Sequence, residues 1–320
     1  MKATFVIAAV GTLITIYLTK YHTPANYSAD QWDDVFMNYV SEYRKSYASQ
    51  DEFTARKEVF KNNYLAIEKH NKDGDQSWKL GVNMFTDMTQ QEFQATLGVK
   101  IPKRRTVILE DTLPILGEGA DINWQEKERV AKVKDQKSCG SCWAFSAIAA
   151  IESAYAIKEN REPENFSEQQ LVDCSWGQGN EGCNGGWMNQ AFEYLKTHDI
   201  CYEKEYPYTA RDGTCKPECQ TGKRVTGWVD VPQTPEALGS ALQGRPISVA
   251  VDASNWSSYS KGVFSNCGKN VNHGVLLIGV EDGNWIIKNS WGTRWGENGK
   301  MKLKAGNTCA IADYASYPLV

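Results

Sequence analysis

Histidine is scarce in this 320-residue sequence, and basic charge is not in excess. A structural zinc site needs several clustered cysteines and histidines, but the nine cysteines are spread along the chain, so we expect no metal and no cofactor. The formal net charge is −4, whereas proteins that bind nucleic acids usually carry a basic patch. We therefore expect neither a nucleic-acid partner nor stable membrane association. The four histidines are His22, His70, His198 and His273.

Long apolar runs are also lacking, except at residues 3–18. This stretch follows Met1-Lys2 and is shorter than the roughly 20 residues that a membrane-spanning helix needs. It is typical of a secretory signal peptide, which we assign to residues 1–25. The possible cleavage positions, Ala25 and Ala29, have poor upstream residues, so an uncleaved anchor is the alternative. We expect a protein of the secretory pathway, either lysosomal or exported.

A Cys-Gly-Ser-Cys motif, residues 139–142, precedes a strongly apolar segment that ends at Ile151. Helix-forming residues dominate this segment, so we predict a buried helix that begins near Cys142. The positive end of a helix dipole favours the thiolate form of a cysteine at the N-terminus. Two interpretations are open: Cys139 and Cys142 form a redox or zinc-binding pair, or Cys142 is a nucleophile and Cys139 belongs to a structural disulfide.

A nucleophilic thiol needs a base, and the base needs a group that orients it. Two of the histidines lie in a segment that we expect to be removed, and a third lies in a polar stretch, which leaves His273. His273 lies 131 residues after Cys142, and Asn289 lies 147 residues after Cys142. Cys-Gly-Ser-Cys-Trp with a histidine and an asparagine at these distances resembles the papain-like cysteine proteases of the cathepsin L group.

The resemblance implies an active cysteine endopeptidase, and it covers nearly all of the chain after residue 30. It assigns Cys142 as the nucleophile, His273 as its acid–base partner and Asn289 as the residue that orients the imidazole, with Trp291 shielding that hydrogen bond. Gln136 would donate to the oxyanion of the intermediate, together with the backbone N–H of Cys142.

The segment before the cysteine motif supports the same family. Residues 27–98 are polar, helical in pattern and free of cysteine. Residues 81–87 match the Gly-x-Asn-x-Phe-x-Asp element of cathepsin L-type propeptides. The interspersed pattern of these propeptides is matched at all six positions: Glu52, Arg56, Phe60, Asn63, Ile67 and Asn71. The resemblance implies a helical propeptide that docks on the enzyme and blocks its cleft as an intramolecular inhibitor.

The chain is therefore expected to have three parts. They are the signal peptide, an inhibitory propeptide with its linker at residues 26–117, and a peptidase domain at residues 118–320. The maturation cut is expected near residues 116–120. Helical patterns come first in the peptidase part, and short β-branched runs follow after residue 226, which predicts an α+β fold. The resemblance specifies the papain-like form, with a helical lobe, a β-barrel-like lobe and a cleft between them, acting as a monomer on proteins and peptides.

Nine cysteines in a secreted chain leave one thiol unpaired. The resemblance implies three disulfides: Cys139–Cys183, Cys174–Cys215 and Cys267–Cys309. Cys201 and Cys219 remain, and we expect them to form a fourth disulfide by exclusion. An exchange of roles between Cys215 and Cys219 is the alternative. N-glycosylation sequons begin at Asn26, Asn165 and Asn255.

The resemblance also locates the substrate groove. Gly185 and Gly186 would form the wall along which an extended peptide pairs. The apolar S2 pocket, which receives the residue second from the scissile bond, would be lined by Trp187, Met188, Ala250, Val271 and Tyr314; Asn272 and Trp291 are further substrate contacts. Tyr314 at its base offers neither a charge nor much space. We expect the pocket to accept Val, Leu or Pro and to reject Arg, unless the neighbouring Asp313 takes the place of Tyr314.

Three other functions fit parts of the pattern. A transglutaminase also uses a cysteine and a histidine, but its third member is usually an aspartate. A Cys-x-x-Cys oxidoreductase would leave Cys183 without a partner. A catalytically silent binding homologue would be expected to lose catalytic residues, whereas here every catalytic position is filled.

Overall fold

The computed structural model describes residues 27–103, 121–216 and 219–320. They form two compact units: residues up to Gln76 with Val82–Met88, and Ser77–Gly81 with Thr89–Val320. The predicted signal peptide, the sequon at residue 26 and the expected maturation cut lie outside the described residues. Within the described ranges, no helix is both long and apolar enough to cross a membrane.

The first unit is a helical pair, α1 (Ala29–Glu42) and α2 (Gln50–Lys72). Ser28 and Ser49 cap the two N-termini by accepting hydrogen bonds from backbone N–H groups three residues later. Such caps satisfy donors that have no partner inside the helix. The two helices enclose an aromatic core of Trp32, Phe36, Tyr39 and Phe60.

In the first unit, the Gly-x-Asn-x-Phe-x-Asp element is hydrogen-bonded to the spaced pattern on α2. Asp87 is buried and accepts hydrogen bonds from Tyr39, Lys45 and Tyr47 at 2.7–2.8 Å. Asn63 of α2 donates to the backbone oxygens of residues 86 and 88 at 2.8 and 3.0 Å. Hydrogen bonds therefore join the two propeptide motifs, although the bonded residues are 23 and 25 positions apart in sequence.

Helices dominate the first part of the second unit. The buried helix predicted near Cys142 is confirmed: α4 (Cys142–Lys158) is buried through its first twelve residues. The α-helices of this unit are α3 (Gln90–Ala95), α4 (Cys142–Lys158), α5 (Glu168–Cys174), α6 (Met188–Leu195) and α7 (Pro235–Gly244). Short 3₁₀ helices lie at Ser175–Gln178, Gly182–Asn184 and Thr308–Ala310.

The strands of the second unit are β1 (Trp78–Leu80), β2 (Ile122–Asn123), β3 (Gly227–Asp230), β4 (Ile247–Val251), β5 (Tyr259–Phe264), β6 (His273–Glu281), β7 (Asn284–Lys288), β8 (Lys300–Leu303) and β9 (Ala315–Leu319). They form one sheet with the order β1-β5-β8-β7-β6-β4-β9-β3, and β2 pairs with β6. The sheet is open, with β1 and β3 as its ends, rather than a closed barrel. Among the strands of the described residues, only β5 and β8 pair in parallel. The central strands β4 and β6 are buried along nearly their whole length, as their continuous apolar runs indicate.

The compact units do not follow the predicted boundary between propeptide and peptidase. Residues 77–81 and 89–103 precede the expected cut, yet they belong to the second unit. The reason is strand pairing: β1 is hydrogen-bonded to β5, and Val99 forms a parallel bridge with Gly186. The domain bounds themselves remain predictions.

Four disulfides join the same cysteine pairs that the sequence analysis expects: Cys139–Cys183, Cys174–Cys215, Cys201–Cys219 and Cys267–Cys309. Cys142 is the one free cysteine in the described part of the chain. The interpretation of residues 139 and 142 as a redox or zinc pair is therefore wrong, because Cys139 is bonded to Cys183.

Candidate active site

Cys142 is the first residue of α4, and its side chain is completely buried. Its Sγ atom accepts a hydrogen bond from the backbone N–H of Gly98 at 3.3 Å. The preceding residue, Ser141, is the N-cap but makes no side-chain cap. The thiol therefore lies at a helix N-terminus whose dipole favours negative charge.

His273 is the first residue of β6, and its Nε2 atom lies 2.8 Å from Oδ1 of Asn289. The antiparallel register between β6 and β7 pairs Leu276 with Lys288, so the residues just after β7 come alongside the start of β6. Trp291 stacks on the imidazole, with 4.6 Å between ring centroids. His273 is completely buried, and its Nδ1 atom has no hydrogen-bond partner among the described residues.

Gly274 brings the strand carrying His273 against the helix carrying Cys142. A Cβ atom at residue 274 would lie 3.3 Å from both the carbonyl oxygen of Cys142 and the Cα atom of Trp143. Such a contact is tighter than ordinary van der Waals packing, so only glycine permits this approach without a shift. The sequence analysis missed this role; the glycine beside His273 was its only signal.

Burial controls the charge of both candidate catalytic groups. It raises the pKa of the Cys142 thiol to about 11, partly offset by hydrogen bonds from the backbone N–H groups of Gly274 and Gly98. Burial also lowers the pKa of His273 to about 4, against the opposing effect of Asn289. Both shifts favour the uncharged forms of these groups, the thiol and the neutral imidazole, while the site is buried.

Gln136 is completely buried, and its side-chain amide contacts both the loop before Cys142 and the segment that follows α3. Its Nε2 atom donates to the carbonyl oxygens of Cys139 at 3.0 Å and Thr96 at 3.3 Å. Ser290 orients this amide, because its hydroxyl donates to Oε1 of Gln136 at 2.7 Å. The sequence analysis found Gln136 but missed Ser290.

Residues 96–100, which follow α3, run through the cleft and form an isolated β-bridge at Val99. The carbonyl oxygen of Gly98 accepts from the N–H of Gly186 at 2.8 Å, and the N–H of Lys100 donates to the carbonyl oxygen of Gly186 at 3.0 Å. On the opposite side, the N–H of Val99 donates to the carbonyl oxygen of Asn272 at 3.0 Å. A short chain segment is thus held by backbone pairing on both sides, next to the thiol.

Comparison with known families agrees with this geometry. Residues 119–319 match the papain family cysteine protease, and residues 36–93 match the cathepsin propeptide inhibitor domain.

The chain belongs to the papain family of cysteine proteases.

Its relatives in that family include several cathepsins L. Cathepsin L 2 of Paramecium tetraurelia is 43% identical over 293 residues, which cover 90% of this chain and 92% of that protein. Procathepsin L of Mus musculus is 40% identical over 302 residues, 88% of this chain and 90% of that protein. The structure of digestive procathepsin L 3 from Tenebrio molitor larval midgut superposes with a TM-score of 0.83 at 35% identity, covering 92% of this chain and all of that one. This chain is thus a cathepsin L-like cysteine protease that carries its inhibitor-type propeptide.

Some of the residues assigned to the S2 pocket of this papain-family protease contact one another: the backbone N–H of Ala250 donates to the carbonyl oxygen of Tyr314 at 2.9 Å. Trp187, Met188 and Ala250 are buried, and the Tyr314 ring stands edge-on to Trp187 with 5.5 Å between centroids. Val271 is half-buried and lies two residues before β6 begins at His273. Asp313 lies beside Tyr314 in sequence, but its carboxylate accepts a hydrogen bond from Asn307 at 2.7 Å. Asp313 thus has a side-chain partner of its own, and Tyr314 at the base of the S2 pocket stays a prediction.

Proposed function

We propose that this papain-family protease cleaves peptide bonds through a thioester on Cys142. Once residues 96–100 leave the cleft, His273 takes the thiol proton, and the thiolate attacks the scissile carbonyl carbon. Gln136 and the backbone N–H of Cys142 stabilise the oxyanion. His273 then gives its proton to the leaving amine as the C–N bond breaks. Water, deprotonated by His273, attacks the thioester and releases the acid and the thiol.

The hydrogen bond between Nε2 of His273 and Asn289 carries this proposal. It occupies one ring nitrogen at 2.8 Å and leaves Nδ1 for proton exchange with the thiol. Asn289 therefore orients the base without reacting itself.

Substitution of these residues tests the roles. In activated enzyme, Cys142→Ser should abolish hydrolysis, His273→Ala should nearly abolish it, and Asn289→Ala should leave measurable kcat because it removes orientation only. Mapping of iodoacetamide adducts should find Cys142 alone. Activity retained in Cys142→Ser, or labelling at Cys139, would contradict the proposal.

We propose that the uncleaved chain is an inactive zymogen. Residues 96–100 satisfy the backbone groups of the cleft and place Gly98 on the catalytic sulfur, so a substrate cannot use the same donors and acceptors. The zymogen with residues 96–100 in place should therefore hydrolyse peptides far more slowly than the processed enzyme.

We propose further that the S2 pocket selects branched aliphatic side chains. Val99 supports this, because a branched aliphatic residue already occupies the cleft there. It forms a bridge with Gly186 and directly follows Gly98, whose N–H contacts the Cys142 sulfur. Peptides that differ only at the second residue before the scissile bond should be cleaved with a preference for Val or Leu over Phe of roughly 1–3 kcal/mol, and Arg should be rejected. Tyr314→Glu should create acceptance of Arg, and a native preference for Arg would contradict the assignment.

We also propose that the protein enters the secretory pathway and acts as a monomer in a lysosome or outside the cell. Asn165 and Asn255, the two sequon asparagines in the described residues, are both exposed. Protein purified from a eukaryotic host should therefore lose mass on treatment with an N-glycosidase, and Asn165→Gln with Asn255→Gln should remove the corresponding part of the shift. A protein without glycans, retained in the cytosol, would contradict this proposal.

A further inference from the structure

The two donors of the proposed oxyanion site come from chain positions six residues apart. One is the side chain of Gln136, and the other is the backbone N–H of Cys142, which directly follows Ser141. The loop between them includes Lys137 in a left-handed conformation, with φ of 56°. Both donors need fixed positions, because an oxyanion site stabilises a transition state only when its donors are oriented in advance.

Gln136 is held on one side by Ser290. The backbone N–H of Gln136 donates to the carbonyl oxygen of Ser290 at 2.8 Å, and the Ser290 hydroxyl binds the Gln136 side chain. On the other side, the carbonyl oxygen of Gln136 accepts a long hydrogen bond from the N–H of Cys139 at 3.4 Å. None of these contacts joins Gln136 to the residue that precedes α4, Ser141.

A single phenol makes that connection. The hydroxyl of Tyr208 lies 2.8 Å from the carbonyl oxygen of Gln136 and 2.6 Å from Oγ of Ser141. A phenol has one proton, and a carbonyl oxygen can only accept. Tyr208 therefore donates to Gln136, and Ser141 donates to Tyr208.

Tyr208 is itself held firmly. Its ring packs edge-on against Phe145 of α4, with 4.9 Å between centroids, and its backbone N–H donates to Glu203 at 3.0 Å. Its loop is closed by the Cys201–Cys219 disulfide. Burial raises the pKa of the Tyr208 phenol, so the hydroxyl stays protonated and remains a donor.

We propose that Tyr208 is a positioning residue that holds both halves of the oxyanion site in register. It reaches the reacting atoms only through Gln136 and Ser141. The inference rests on the proposed role of Gln136 as an oxyanion donor.

The Tyr208→Phe substitution removes the hydroxyl and keeps the ring against Phe145. We expect kcat to fall by about tenfold, with KM changed less than about twofold, because the oxyanion forms only after substrate binds. Alkylation of Cys142 by iodoacetamide makes no oxyanion, so its rate should stay within about twofold of the parent.

Tyr206→Phe is the matched control. Tyr206 lies in the same loop as Tyr208, and its buried hydroxyl donates to Asp173 at 2.8 Å, away from the catalytic segments. It should lower thermal stability as Tyr208→Phe does but leave kcat near the parent value.

A double-mutant cycle with Gln136→Ala decides the route. Gln136→Ala alone should lower kcat by about 10²–10³-fold, and adding Tyr208→Phe should then cost a clearly smaller factor than it does in the parent. An equal factor in both backgrounds, an unchanged kcat in Tyr208→Phe, or an equal loss in alkylation rate overturns the positioning role. A fully active Gln136→Ala variant would instead overturn the proposed oxyanion role of Gln136.

Discussion

The substitution Gly98→Ala should open the active site of the zymogen while leaving the mature enzyme unchanged. Gly98 crosses the cleft so closely that a Cβ atom there would lie 1.8 Å from the carbonyl oxygen of Gly140. The clash is with backbone, so it cannot be relieved by rotating a side chain. The segment has to move by more than about 1 Å, which is enough to break its hydrogen bonds.

The size of the effect follows from the hydrogen bonds that Gly98 makes. Its N–H donates to the Cys142 sulfur, and its carbonyl oxygen accepts from Gly186. Each such bond contributes about 1 kcal/mol net, so losing both costs about 2 kcal/mol. The open cleft should then be populated roughly thirtyfold more often, before any further loss at Val99 and Lys100 is counted.

The assay is the rate at which iodoacetamide modifies Cys142 in freshly purified zymogen at neutral pH, with mass spectrometry showing that the chain is intact. Gly98→Ala should raise this rate by about ten- to a hundredfold. Gly74→Ala is the control, since a Cβ atom at residue 74 meets nothing within 4 Å, and it should label as slowly as the parent. Residue 98 precedes the predicted cut, so the processed enzymes should be identical in activity. Labelling of Gly98→Ala at the parental rate would refute the reasoning.

Three further outcomes follow from other parts of the structure. Burial raises the pKa of Glu168 from 4.5 to about 7, so its contribution to stability is present below pH 4.5 and is lost as the pH rises through 7. Glu168→Gln should therefore flatten the pH dependence of the urea-unfolding free energy between these values, and an unchanged slope against pH would contradict this. Replacing Cys201 and Cys219 together by Ser should lower the unfolding free energy by roughly 3 kcal/mol, because the disulfide closes a loop of sequence separation 18; no change in the urea midpoint would show that the loop is held by its other contacts. Ser290→Ala should lower kcat by less than Gln136→Ala does, because it frees the amide without deleting it, and steady-state kinetics with equal losses would contradict this order.

The sequence alone was sufficient for the features that depend on local pattern or on recognisable spacing. The apolar segment after residue 142 predicts the buried helix α4 because its composition specifies a helix without an exposed face. The intervals from Cys142 to His273 and Asn289 indicate the family, and the odd cysteine count indicates one free thiol. The propeptide motifs are likewise visible as residues at fixed intervals.

Only the tertiary structure decided the contacts between segments that are distant in the chain. Tyr208 and Ser290 are ordinary polar residues in sequence, and their significance comes from hydrogen bonds to Gln136 across 72 and 154 residues. The hydrogen bond from Asn307 to Asp313 was likewise not visible in the sequence, whereas Tyr314 at the base of the S2 pocket stays a prediction. The boundary between propeptide and peptidase differed from the compact units because residues 77–81 and 89–103 pair with distant strands. Such contacts leave no periodic trace in either partner, since each depends on how two separately folded segments meet.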